Sequence, residues 1–325
     1  MKQAIISFIL ELVILAPLQL QAQQKTITNR YAMKMQQTAN GKYELQQEDK
    51  YRKNHIDISM PDVLEPYTPK YVKLNSKMYK GVATQDIVFK KYKDYELKIT
   101  VDKAVSDKPT PFMIYIHGGG WARGDNSSSK VISQYLAKQH GITGFRIEYT
   151  LAPQSGASVQ VSISDVMDAL KYIQDHAREL NVNPNIYGFL GTSAGAHLAA
   201  VGAMKSKAKL FIGYSGIYDL EKAAITSKTH DPQRIKYFKG ELFNASPINM
   251  IPKKNIPACM LVCGTADVTV ECEQSKMFAD ALKQKGGKVE LDVYEHYDHN
   301  LSSRTSDKME DILFKSVDFV DQYLK

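Results

Sequence analysis

The sequence is short of cysteine, of long apolar runs beyond its start, of clustered basic residues, and of metal and dinucleotide motifs. Each shortage excludes something. Cys259, Cys263 and Cys272 are an odd set confined to one stretch. That is no disulfide framework, and the spacing is not that of a zinc site. Cys259 and Cys263 lie on an apolar, strand-like run and read as core residues; an oxidising compartment would allow one disulfide through Cys272. Past the first twenty-odd positions no stretch of roughly 18 apolar residues occurs, so nothing later reads as a membrane span. The formal net charge is +7, which favours acidic polymers or surfaces. The basic residues are scattered, however, as on a solvated lysine-rich face, and no nucleic-acid partner is expected. There is no H-E-x-x-H and no G-x-G-x-x-G, so neither metal nor cofactor is expected.

What is present begins with a secretory pattern. Lys2 precedes an apolar run from Ile5 to Ile14, interrupted by Ser7 and Glu11, and Leu20-Gln21-Ala22 offers small-residue processing. Residues 1–22 therefore read as a signal peptide cleaved after Ala22, with a packed N-terminal helix as the alternative, and the protein as secreted or periplasmic. No cysteine follows the run, which argues against a lipid anchor. Residues 23–80 are polar and weakly periodic; they read as a leader or a cap over the active site, or as a plain linker.

Residues 81–325 are regular. Ile87 and Phe89, then Leu97, Ile99 and Val101, alternate on either side of Lys93-Asp94, as in an antiparallel hairpin. Strand-like runs follow at 112–116, 144–149, 186–190, 210–214, 258–262 and 289–294. The unbroken apolar run Phe112–Ile116 suits a buried central strand. Between them, Ile163, Val166, Leu170 and Ile173 recur at helical spacing behind a cap at Ser162, and two later segments, around 277–282 and 309–320, do the same. Alternating strands and helices predict an α/β domain: a mostly parallel central sheet with an antiparallel N-terminal hairpin and helices on both faces.

Two motifs carry the chemistry. Gly191-Thr192-Ser193-Ala194-Gly195 fits G-x-S-x-G, a sharp strand-to-helix turn that lifts a serine out of a sheet. His117-Gly118-Gly119-Gly120-Trp121 supplies a glycine-rich loop whose backbone N–H groups can meet a developing oxyanion. Ser193 is then the nucleophile, and the N–H groups of Gly118, Gly119 and Ala194 form the oxyanion hole. His117 orients the loop. Trp121 lines the substrate pocket or packs beneath the loop.

A serine hydroxyl needs an adjacent base. For this motif the chain order is Ser, then Asp or Glu, then His. His299 is the candidate base, on a polar segment after the last strand, and His296 competes with it. His230 falls in an insertion, and His197, one helical turn past Ser193, reads as a packed helix residue. Asp267, after the 258–262 strand, is the candidate acid, with Asp219 as the alternative. Asp298 is expected to face solvent.

Together with Tyr149-Thr150-Leu151-Ala152-Pro153, Ala196-His197-Leu198-Ala199 and Ala245-Ser246-Pro247, these motifs resemble the α/β-hydrolase esterases. The nearest likeness is to the acetyl-esterase and hormone-sensitive-lipase-like group, including secreted acetylxylan and feruloyl esterases. The resemblance covers about residues 82–325. It implies the triad Ser193, Asp267 and His299 and short-chain acyl ester substrates, and secretion adds a carbohydrate ester such as acetylated xylan. Thr192 and Ala196 stand where lipase-like members usually carry Asp and Gly. The stretch from Gly191 to His197 is also similar to kynurenine formamidases, so an amidase with the same triad is the alternative. A non-catalytic binding protein on the same fold is the third reading.

Overall fold

The computed structural model describes residues 35–37, 43–45, 74–152, 156, 158–226, 236–301 and 307–325. The chain divides into two units, Met1–Pro66 and Tyr67–Lys325. In the first, β1 (Met35–Gln37) pairs antiparallel with β2 (Tyr43–Leu45). The expected signal peptide and most of the expected leader lie outside the described residues. The boundary expected at residue 81 falls inside the second unit. Lys138 donates to the carbonyls of Lys77 and Lys80, and Gln139 to that of Met78, so the 74–80 segment is bound to the larger unit.

That unit is built on an eight-stranded sheet in the order β10-β9-β8-β7-β5-β6-β4-β3. The strands are β3 (Ala83–Lys91), β4 (Glu96–Lys103), β5 (Thr110–Ile116), β6 (Thr143–Ile147), β7 (Val182–Thr192), β8 (Leu210–Tyr214), β9 (Ala258–Gly264) and β10 (Val289–Tyr294). The β3–β4 hairpin and the β4–β6 pairing are antiparallel, and all other pairings are parallel. This is the α/β-hydrolase architecture expected from the sequence.

Strand periodicity explains the two cores. Side chains alternate across a sheet, so Phe112, Ile114 and Ile116 of β5 enter one cluster while Met113 and Tyr115 enter the other. In β9, Cys259 and Leu261 oppose Met260 and Val262 in the same way. Both faces are covered, which is why these strands read as unbroken apolar runs. On the first face lie α2 (Val159–Asp175), α4 (Ala194–Met204) and α7 (Glu273–Gln284). On the second lie α1 (Lys130–Tyr135) and α8 (Asp307–Leu324). Further short helices are α3 (Ala177–Leu180), α5 (Leu220–Thr226) and α6 (Leu242–Ala245). Among the described residues no helix is long and apolar enough to cross a membrane.

Two local expectations need correction. Helix α2 starts four residues before the helix predicted behind Ser162. The Ser162 hydroxyl caps nothing; it donates to the Thr150 carbonyl at 2.7 Å. Cys263 is not simply a core residue either, because it is bridged to Cys272. Cys259 is free and buried, as expected.

The topology sets the site. After β5 the chain runs to β6 on one side, then returns to form β7 on the other. In an open α/β sheet such a reversal leaves a crevice at the carboxyl ends of the two strands. Here the loops on its rim are the glycine-rich loop after β5 and the serine turn after β7.

Candidate active site

Ser193 sits between β7 and α4 with φ 56° and ψ −124°. A non-glycine residue holds such a conformation only where its surroundings fix it. The Ser193 N–H donates to the Tyr214 carbonyl at 2.8 Å, and its own carbonyl receives the N–H groups of Ala196 and His197. Helix α4 is buried all round and made largely of Ala and Gly, so it packs directly on the sheet. A Cβ at Gly195 would strike the carbonyls of Ile116 and His117, which are backbone and cannot yield. The glycine two residues past the serine is thus required by close approach.

The same approach brings the glycine-rich loop to the nucleophile. Gly118 lies against the Thr192 carbonyl and the Ser193 Cβ. Gly119, Gly120 and Trp121 all have positive φ (117°, 62° and 59°). Trp121 carries a side chain in that region, and several bonds hold the loop there. Ala152 N–H donates to the Trp121 carbonyl at 2.8 Å, and Ala122 N–H to that of Gly119 at 3.2 Å. The Tyr149 hydroxyl donates to the His117 carbonyl at 3.0 Å, and the two rings stack 4.3 Å apart. His117 Nδ1–H donates to the Gly118 carbonyl at 2.8 Å, the orienting part expected of it. Burial lowers the His117 pKa, against the upward pull of that carbonyl, which favours the neutral ring. Ala194 is the first residue of α4, so its N–H shares the positive end of the helix dipole.

Trp121 is not an open pocket wall. Only 2% exposed, its indole packs edge-on against His197 and Phe238 and donates from Nε1 to His197 Nδ1 at 3.2 Å. A buried indole N–H needs an acceptor, and His197 supplies it beneath the loop.

His299 lies on the loop after β10, with its Nε2 2.9 Å from Ser193 Oγ. Its Nδ1 is 2.8 Å from Asp267 Oδ2 on the loop after β9. The other Asp267 oxygen accepts the N–H groups of Thr269 and Val270 at 2.8 and 2.9 Å. One carboxylate is thereby fixed by its own loop and aimed at one imidazole. The competing residues are elsewhere. His296 has φ 63° and its backbone N–H donates to the Thr265 hydroxyl. Asp219 accepts Lys222 N–H at 2.9 Å and caps α5. His230 lies outside the described residues. Asp298, expected to face solvent, is 2% exposed; its side chain turns inward and accepts the Asn300 N–H, shaping the turn that presents His299.

Sequence reasoning passed over the supports behind the loop. Asp165 on α2 accepts Thr150 N–H at 2.8 Å, Tyr92 OH at 2.6 Å and Lys90 Nζ at 2.7 Å. It thereby anchors the Tyr149–Ala152 segment that holds the glycine loop. The visible signal was an aspartate among the apolar positions of an amphipathic helix. The arrangement as a whole can activate a hydroxyl, orient the activating base and stabilise an oxyanion.

Comparison with known proteins agrees. The BD-FAE family model matches residues 97–235. An isoprenylcysteine α-carbonyl methylesterase of Arabidopsis thaliana is 24% identical over 60% of this chain and 51% of its own length. A kynurenine formamidase of Drosophila melanogaster is 28% identical over 61% and 70%, and an acetyl esterase of Salmonella schwarzengrund 25% identical over 58% and 65%. The chain thus spans about half the length of the methylesterase. Among solved structures, esterase 2 of Thermogutta terrifontis with propionate bound superposes with a TM-score of 0.65 at 23% identity, covering 75% of this chain and 95% of that one. The fold, the order of the motifs and these relatives agree: the chain has the α/β-hydrolase fold and is similar in sequence to esterases and to a formamidase built on it.

Proposed function

We propose that the protein is a serine carboxylesterase acting on short-chain acyl esters. The observation that carries the reading is the hydrogen-bonded series Ser193–His299–Asp267, with links of 2.9 and 2.8 Å, beside a loop of backbone N–H groups. Ser193 Oγ attacks the ester carbonyl while His299 Nε2 takes its proton. Asp267 holds the imidazole with its proton on Nδ1. The N–H groups of Gly118, Gly119 and Ala194 stabilise the tetrahedral oxyanion. His299 then protonates the leaving alcohol, and water, deprotonated by the same imidazole, releases the acid from the acyl-enzyme.

The natural substrate in this reading is a carbohydrate ester such as acetylated xylan, met outside the cytoplasm. The N-terminal secretory pattern supports that compartment, and the Cys263–Cys272 bridge suits an oxidising one. The kynurenine formamidase relative favours a second reading, hydrolysis of an aryl formamide by the same residues.

The deciding experiment is turnover of p-nitrophenyl acetate, butyrate and octanoate, acetylated xylan and N-formylkynurenine by wild type and Ser193→Ala. Ester turnover lost in the variant, with acetate released from xylan, is the expected result. Turnover of the formamide alone would replace the esterase reading with the amidase one. No turnover of any substrate would leave a binding role.

A further inference from the structure

Every polar atom of His197 is committed, although the triad makes no use of it. The ring lies fully buried on α4, one turn past the nucleophile. Nδ1 accepts the indole N–H of Trp121 at 3.2 Å, and Nε2–H donates to the Ala245 carbonyl at 2.8 Å. Phe238 packs edge-on against both rings. The two bonds demand opposite roles of the two nitrogens, so they select a single neutral tautomer. Burial acts the same way: it takes the pKa down to about 4 despite the pull of the Ala245 carbonyl.

Trp121 is the residue that most needs such a hold. It ends a run of three positive-φ residues that begins at the candidate donor Gly119. Its backbone is fixed through Ala152 and its side chain through His197.

We infer that His197 is a positioning residue for the oxyanion loop: a neutral imidazole that ties Trp121, and through it the N–H groups of Gly118 and Gly119, to the nucleophile helix and to the 236–250 segment. The inference rests on the serine-esterase reading for its kinetic consequence and on geometry alone for the contact. In the reaction the imidazole moves no proton; it keeps the donors where the oxyanion will form. Loss of that placement is felt in the transition state and little in the bound ester.

The test uses the full chain. His197→Phe keeps a planar ring and removes both bonds. His197→Asn places a carbonyl oxygen near the position of Nδ1. Trp121→Phe removes the indole donor. In p-nitrophenyl acetate hydrolysis, His197→Phe and Trp121→Phe are each expected to lower kcat by ~10- to 100-fold with KM within about twofold. The double variant should be no slower than the slower single, because both remove one link, and His197→Asn should recover most of the loss. A further readout needs no turnover. Trp121 is the sole tryptophan, so the emission of the chain reports this indole, and it should shift in His197→Phe.

Folded variants with kcat within about twofold of wild type, losses that multiply in the double variant, or unchanged emission in His197→Phe would each overturn the inference. If His197→Phe does not fold, His197→Asn and Trp121→Phe decide it by the same split between kcat and KM. Absence of ester turnover in wild type would instead sink the esterase reading, and the emission shift would then judge the contact by itself.

Discussion

Asp267 presents one carboxylate oxygen to His299 Nδ1 at 2.8 Å and gives the other to two amides of its own loop. The acid is thus oriented by its own loop as well as by the base. Asp267→Asn puts a donor where the imidazole N–H must donate and upsets the tautomer that Ser193 needs. A fall in kcat of about 10⁴-fold is expected, read on p-nitrophenyl acetate. Asp219→Ala is the contrast. It removes a helix cap, costs about 1 kcal/mol in urea unfolding and leaves kcat near wild type.

Stability should depend on pH through His197. Burial lowers its folded pKa to about 4, whereas an unfolded imidazole titrates near ~6.5. Between those values the unfolded chain binds a proton that the folded chain refuses. Stability is therefore full above about pH 6.5 and falls as the pH drops toward 4, by up to about 3 kcal/mol from this group. Urea midpoints of wild type and His197→Phe at about pH 7 and pH 4.5 should show the smaller acid loss in the variant.

Under the sheet, Asp102 is fully buried and accepts Arg146 Nε at 2.7 Å, Ser133 Oγ and Gln134 Nε2. Arg146 also donates to the Asn126 carbonyl, just beyond the glycine loop. Arg146→Met strands the carboxylate in the interior. It should cost about 3–5 kcal/mol in chemical unfolding, as expected when one partner of a buried pair is removed.

The Cys263–Cys272 bridge closes a loop spanning a sequence separation of 9, and Asp267 lies inside it. Cys272→Ser should lower the unfolding free energy by about 2–3 kcal/mol. It should also lower kcat more than it changes KM, because the loop that orients the acid is freed. Dithiothreitol should move the wild-type Tm and leave that of the variant in place.

Much of this was readable in the sequence because buried parallel strands announce themselves. Phe112–Ile116 and Leu210–Tyr214 are apolar runs, and Val289–Tyr294 at the sheet edge alternates apolar with acidic residues; all three end where the structure ends them. Ser193 follows from its motif, while chain order leaves Asp219 and His296 open beside Asp267 and His299; the resemblance implies the latter two, and the structure places them within hydrogen-bond distance in series with Ser193. What escaped was whatever depends on a partner far along the chain. For Trp121 the sequence leaves pocket lining and packing beneath the loop both open, because nothing local shows that its indole N–H meets His197. Asp298 looked solvent-facing because its acceptor is used within the turn. The start of α2 was hidden because Val159-Gln160-Val161 alternates like a strand, whereas Val159 is buried in the core. Cys263 and Cys272 are adjacent only once β9 turns into α7.

The order of the strands also sets when the chemistry becomes available. Ser193 leaves β7, Asp267 leaves β9, and His299 leaves β10 at the far edge of the sheet. As the chain emerges from the ribosome, the nucleophile and its oxyanion loop are complete while the base has yet to be made. In the proposed mechanism a nascent chain therefore carries a serine without its base until the last edge strand and the loop after it are made. If His299 is the base, recovery of activity during refolding should report the docking of β10.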